Sequence, residues 1–256
     1  MIEYSRYVAL GDSQTEGLWD GDDDTGLAGF ADRLAALLSR LRPGLQYANL
    51  AIRGKQIRDV LDEQLPRALE MQADLVTVCI GMNDMTRPGR GFDRALDQLD
   101  MVYLHLAASG ATVVTTTFPD LARILPIGRL LGARVVAINE RIRAAAALHG
   151  FRLVDLFAAP SMTQPDTWSA DRVHGSPKGH MLFAAAAAEA LGLPGSSHAW
   201  AVADPSADLP SFRSRMYSQV LWTQNMLMPW LWTHLRGGSV TDGREPRRPE
   251  LQPLGV

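Results

Sequence analysis

A serine hydroxyl is a weak nucleophile until a base takes its proton. The base in turn needs an orienting partner, and the oxyanion that forms needs hydrogen-bond donors aimed at it. Residues of these types stand at four separated places in the chain: Ser13 in Gly11-Asp12-Ser13, Gly54, Asn83 in Gly81-Met82-Asn83-Asp84, and Asp171 with His174 three residues later. At that last spacing a carboxylate folds back onto the Nδ1–H of the imidazole and leaves Nε2 free for Ser13. Backbone N–H groups of Ser13 and Gly54 and the amide of Asn83 are the candidate oxyanion donors. Asp12 reads as a brace for the nucleophile loop, not as a second base.

Short apolar runs place these residues. Strand signals occur at Tyr7–Leu10, Leu45–Leu50, Leu75–Ile80, Thr112–Thr117 and Phe151–Leu156, with helical periodicity between them. That alternation predicts a parallel sheet with helices on both faces, and α/β sheets carry their chemistry beyond the C-terminal ends of the strands. Helices are expected over Phe30–Leu41, Ile57–Met71 (broken or restarted at Pro66), Phe92–Ala108, Arg134–Leu148 and Pro177–Leu191, the last opened by Ser176-Pro177. The expected fold is a flavodoxin-like three-layer α/β/α sandwich with five parallel strands over residues 1–195. Residues 196–256 are expected to form a linker, a helical segment at 217–235 with Trp222, Trp230 and Trp232, and an extended or disordered tail with little to bury.

The 256 residues suffice for a full core, and 46% hydrophobic with 21% charged residues is ordinary for a globular protein. A net charge of -3 offers no field for nucleic acid. The single cysteine, Cys79, excludes an internal disulfide and reads as an inert core thiol. No apolar run approaches the roughly 18 residues of a membrane span, and no signal-peptide core follows the N-terminus, so a cytoplasmic location is expected.

The four blocks, Gly11-Asp12-Ser13, Gly54 within Asn49-Leu50-Ala51-Ile52-Arg53-Gly54, Gly81-Met82-Asn83-Asp84 and Asp171-Arg172-Val173-His174, resemble in order those of the SGNH (GDSL) hydrolases. The resemblance covers about residues 4 to 192. It implies Ser13 as nucleophile, His174 as base, Asp171 as its partner, and Ser13, Gly54 and Asn83 as the oxyanion hole, with no cofactor and no metal. Gln14 departs from the leucine or isoleucine common after the serine, a change expected to bear on packing or substrate fit. The tail, with Trp230-Leu231-Trp232, Gly237-Gly238 and Asp242-Gly243-Arg244, looks more loosely like the extension of actinobacterial members. No Gly-x-Ser-x-Gly elbow occurs, which separates the chain from the α/β-hydrolase pattern.

Other features have plainer readings. His180 lies inside the last core helix and reads as structural. His105, His149 and His234 lie within or at the end of helices without a carboxylate in the same loop, and His198 lies in the linker. The acidic run Asp20-Gly21-Asp22-Asp23-Asp24 has Ala31 where a calcium loop needs glutamate. Leu121, Ile124 and Leu125, after the fourth strand, either line a pocket for an acyl chain or pack into the core. The expected activity is metal-independent hydrolysis of small-molecule, lipid or carbohydrate esters by an esterase or lipase. An acyltransferase or carbohydrate deacetylase would use the same site, and a non-catalytic binding module would keep the fold without turnover. A homo-oligomer is compatible with the sequence.

Overall fold

The computed structural model describes residues 4–22, 24, 26–87, 89–124, 128–206, 220 and 243–254. Leu125, the tail motifs at 230–238 and the tryptophan-bearing segment 217–235, Val220 excepted, therefore lie outside the described residues.

The central sheet contains β1 (Arg6–Gly11), β4 (Gln46–Asn49), β5 (Leu75–Cys79), β6 (Thr112–Thr116), β7 (Arg152–Val154) and β8 (Arg248–Pro253), in spatial order β7-β6-β5-β1-β4-β8. A two-stranded hairpin of β2 (Gly21–Asp22) and β3 (Gly26–Leu27) lies between the first two sheet strands in sequence. Tyr7 to Leu10 and the whole of β5 are buried, as central parallel strands covered on both faces must be. The five strands from β1 to β7 run parallel in the flavodoxin order.

A sixth strand adds to the five parallel strands expected, and it is formed by residues 248–253, expected as an extended or disordered tail with little to bury. β8 runs antiparallel along β4, with Arg248 opposite Asn49 and Pro253 opposite Gln46. It is held by charges reaching across the sequence. Arg247 bonds Asp32 at 3.1 and 3.2 Å and donates to the Leu27 carbonyl, and Arg67 donates to Pro249 O at 3.0 Å. The Arg248 guanidinium lies 5.8 Å from the centroid of Tyr47. Prolines at 249 and 253 suit an edge strand, whose outer N–H groups have no ladder to serve.

Helices α1 (Ser13–Glu16), α2 (Phe30–Leu41), α3 (Ile57–Asp59), α4 (Leu65–Glu70), α5 (Gly91–Ala108), α6 (Leu121–Ile124), α7 (Gly128–His149) and α8 (Pro177–Ala190) cover the faces. Between α3 and α4 the helix does not stop at Pro66. Val60–Gln64 forms a π-turn in which Leu65 N–H reaches back to Val60 O. Pro66, having no N–H, follows directly on this widened turn. Ser176 caps α8 by accepting from Gly179 N–H at 3.1 Å. The helix α7 begins six residues earlier than its periodicity predicts. Trp200 and Ala201, in a short 3-10 turn at His198–Ala201, are buried in the same core. Among the described residues no helix is long and apolar enough to cross a membrane.

Candidate active site

Gly11 pairs with Cys79 across β1 and β5, and Ala9 with Asn49 across β1 and β4. The segments carrying Ser13, Gly54 and Asn83 thus leave three adjacent strands at one rim. Gly11 itself has φ +154°, and a Cβ there would stand 2.3 Å from Thr15 Oγ1 and 2.4 Å from Cys79 O, so only glycine permits the turn into α1. Gln64 brackets this residue: its Oε1 accepts Gly11 N–H and its Nε2 donates to Gly11 O, both at 2.9 Å.

Ser13 Oγ lies 2.7 Å from His174 Nε2, and His174 Nδ1 lies 2.8 Å from Asp171 Oδ2. The three side chains, buried at the rim, form one hydrogen-bonded chain. Its local cause is a tight loop. Ser169 N–H donates to His174 O at 2.9 Å, Arg172 N–H to Ser169 O at 3.0 Å, and Arg172 takes φ +58°, so the carboxylate turns back on the imidazole. Asp171 Oδ1 accepts from Ser169 Oγ at 2.7 Å, Val173 N–H at 2.9 Å and His174 N–H at 3.1 Å, and Oδ2 also accepts from Trp19 Nε1–H at 2.8 Å. Burial pushes the Asp171 carboxyl up, but the His174 bond and charge, with the Ser169 and Val173 donors, outweigh it and hold the group well below its usual range.

The Asn83 amide nitrogen donates to Lys55 O at 2.8 Å and lies 3.3 Å from Asp12 Oδ2. The second contact is long, and an oxyanion at Ser13 would compete well for that hydrogen. Ser13 N–H and Gly54 N–H have no acceptor in the protein among the described residues. Burial pushes Asp12 up to about 7 against the pull of the Gln14 N–H and the His174 charge, with nearby Asp84 raising it further.

His180 is fully buried, accepts Phe30 N–H at Nδ1 (3.2 Å) and donates from Nε2 to Leu18 O (3.0 Å). Burial draws it down to about 4, so it is a neutral core group. Cys79 is buried and pushed up to about 12, chiefly by burial. Leu121 and Ile124 are 2% and 7% exposed within the core.

Several residues that hold this arrangement escaped the sequence reading. Glu16 accepts Arg53 N–H at 2.6 Å and Arg53 Nη2–H at 2.8 Å, tying the loop before Gly54 to the helix of Ser13, and Asn49 Nδ2 reaches Thr15 O at 2.9 Å. Gln14 Oε1 accepts Gly175 N–H at 3.1 Å, so the residue expected to bear on packing or substrate fit links the turn of Ser13 to the loop of His174. A glutamate three positions beyond the serine was the available signal for Glu16. Gln64 and Trp19 had none, because their partners are 53 and 152 positions away.

No curated protein matches the sequence. Solved structures do. One is an alpha/beta hydrolase enzyme from the metagenome of Lake Arreo, Spain, at 23% identity and TM-score 0.59 over 73% of this chain and 95% of that one. Two variants of an acetyl xylan esterase from Geobacillus stearothermophilus match at 20% and 21% identity, with TM-scores of 0.60 and 0.61, over 74% and 75% of this chain and 95% and 96% of theirs. These likenesses carry the fold. The family model of GDSL-like lipases and acylhydrolases matches residues 9–182, and the chain accordingly belongs to that family, the SGNH hydrolases, and is a carboxylic ester hydrolase.

Proposed function

We propose that Ser13, His174 and Asp171 are the nucleophile, general base and orienting acid of this hydrolase. Ser13 Oγ attacks the ester carbonyl while His174 Nε2 takes its proton. The developing oxyanion is met by the N–H groups of Ser13 and Gly54 and by Asn83 Nδ2, each such donor being worth about 10²–10³ in rate. His174 returns the proton to the departing alcohol. A water then loses a proton to His174 and attacks the acyl-enzyme, and His174 passes that proton to the departing Ser13 Oγ as the acid is released. The single observation that carries this reading is the continuous chain from Ser13 Oγ through His174 to Asp171 Oδ2, at 2.7 and 2.8 Å.

The substrate class we infer is an ester of a short acyl group. Leu121 and Ile124, two of the three apolar side chains after β6 expected to be available for a long chain, are committed to the core. The Geobacillus acetylxylan esterase is described with catalytic mutants at a serine, an aspartate and a histidine three positions after that aspartate. Asp171 and His174 have the same spacing, which supports the triad; the acetylated carbohydrate named for that neighbour is the alcohol side we infer. The catalytic unit is taken as residues 1–195, supplemented by the 198–201 turn and β8. The likeness of the extension to actinobacterial members rests on its sequence alone.

A fluorophosphonate probe followed by peptide mapping tests the nucleophile: label is expected on Ser13, and a folded protein left unlabelled there overturns the assignment. A panel of esters from acetyl to palmitoyl, with acetylated xylo-oligosaccharides, tests the substrate class. Highest kcat/KM on acetyl esters is expected, and a preference for palmitoyl overturns it.

A further inference from the structure

The connection between α1 and α2 carries a tryptophan in a conformation that tryptophan avoids. Trp19 has φ +73°, in the left-handed region, where a bulky residue is a true outlier and persists only when its surroundings impose it. Both neighbours are fixed. The Leu18 carbonyl accepts the His180 Nε2–H at 3.0 Å. Asp20 is bound by Arg33 at 2.7 and 2.9 Å, and its carbonyl accepts Ala28 N–H at 2.7 Å. Two features with no part in the chemistry, the buried His180 and the first acid of the acidic run, thus have one joint effect: they impose the backbone of Trp19.

What that backbone achieves is the aim of the indole. Nε1–H donates to Asp171 Oδ2 at 2.8 Å, the same oxygen that faces His174 Nδ1 at 2.8 Å. A donor on one carboxylate oxygen draws off part of the charge that oxygen presents to a second donor. Oδ1 is separately fixed by Ser169 Oγ, Val173 N–H and His174 N–H, so the carboxylate stays in place without the indole.

We propose that Trp19 is a positioning residue of the hydrolytic site, whose indole N–H shares Asp171 Oδ2 with His174 and sets how much of the carboxylate charge reaches the imidazole. This rests on the reading of His174 as the general base. The other charged and titratable groups facing the pair are Asp12 before α1 and His180 on α8, with the Asp20–Arg33 ion pair beyond His180 and Arg172 next to Asp171 in the loop.

Trp19→Phe keeps an aromatic ring and removes the donor. With the full carboxylate charge turned on the imidazole, the acid limb of the kcat/KM profile for p-nitrophenyl acetate is expected to move up by about half a pH unit, with KM unchanged. A merely structural loss would lower the plateau and leave the limb where it was. An unmoved limb in folded Trp19→Phe overturns the inference. Should that variant fail to fold, the wild-type protein decides: the ¹⁵N–¹H indole resonance of Trp19 is expected to titrate with the midpoint of the acid limb, and a silent resonance overturns the inference equally. Ser13→Ala, assayed alongside, separates the two readings. Turnover surviving that change removes the serine mechanism and this role with it, whereas its loss, with an unmoved limb in Trp19→Phe, sinks the role of Trp19 alone.

Discussion

Two segments leave the same rim of the sheet, begin with the same device and end differently. At the last residue of β1, Gln64 brackets Gly11 by accepting its N–H and donating to its C=O. After β6, Asn139 brackets Phe118 in the same way, both bonds at 2.8 Å. A side-chain amide in this role continues the pairing that the strand has run out of, and it keeps two buried backbone groups satisfied. Beyond the bracket the segments diverge. The first is tied by polar bonds to the loop of His174, through Gln14 to Gly175, and to β4 and the loop after it, through Thr15 to Asn49 and Glu16 to Arg53, with the Ser13 hydroxyl held among them. The second sends Leu121 and Ile124 into the core. A place on the catalytic rim does not itself make a functional loop. Convergent polar ties do.

The largest effect should come from the hydroxyl on which those ties converge. Ser13→Ala is expected to lower kcat by about 10⁴-fold or more while leaving the melting temperature near that of the parent. Residual turnover within tenfold of wild type would remove the contrast between the two segments. Next come the brackets. Gln64→Leu and Asn139→Leu should each cost about 2–6 kcal/mol, because each strands a buried N–H and C=O. Urea denaturation would measure this, and only Gln64→Leu should also lower kcat in the protein that remains folded. Equal losses of kcat would show that both segments serve the chemistry. Leu121→Ala should cost about 2–5 kcal/mol and leave KM for acetyl esters unchanged; a rise in KM without lost stability would reopen that segment as a substrate wall.

The smallest effect concerns Asp12. Its folded-state pKa is raised, chiefly by burial, to about 7 from an ordinary carboxylate value. A raised pKa means that the stability associated with its protonated form is fully present below the ordinary carboxylate range and is lost as pH rises through about 7. Asp12→Asn removes that dependence. Its melting temperature should exceed that of the parent at pH 8, by an amount equivalent to about 1–2 kcal/mol, and the gap should close toward pH 4. A gap that widens on acidification would reverse the sign of the argument.

Much of this molecule could be read from its sequence, for identifiable reasons. The parallel strands were legible because burial on both faces leaves continuous runs such as Leu75–Cys79. The approach of Asp171 to His174 was legible because three residues of spacing decide it locally. Leu121 and Ile124 show the limit, since apolar residues at helical spacing look the same whether they line a pocket or fill a core. Gln64, Trp19 and β8 show another. Each acts through one partner far away in sequence, and Arg247 finds Asp32 across 215 positions, a pairing that no local pattern announces.

The position of β8 has a consequence for biosynthesis. The strand that shields β4 is made about two hundred residues after it, which at typical synthesis rates means a delay on the order of 10–40 s. Throughout that interval residues 46–49 present an uncovered row of backbone donors and acceptors, the kind of surface on which neighbouring nascent chains nucleate aggregates. Cells producing this hydrolase at high level should therefore benefit from slower translation or added chaperone, even though the finished molecule keeps that edge covered.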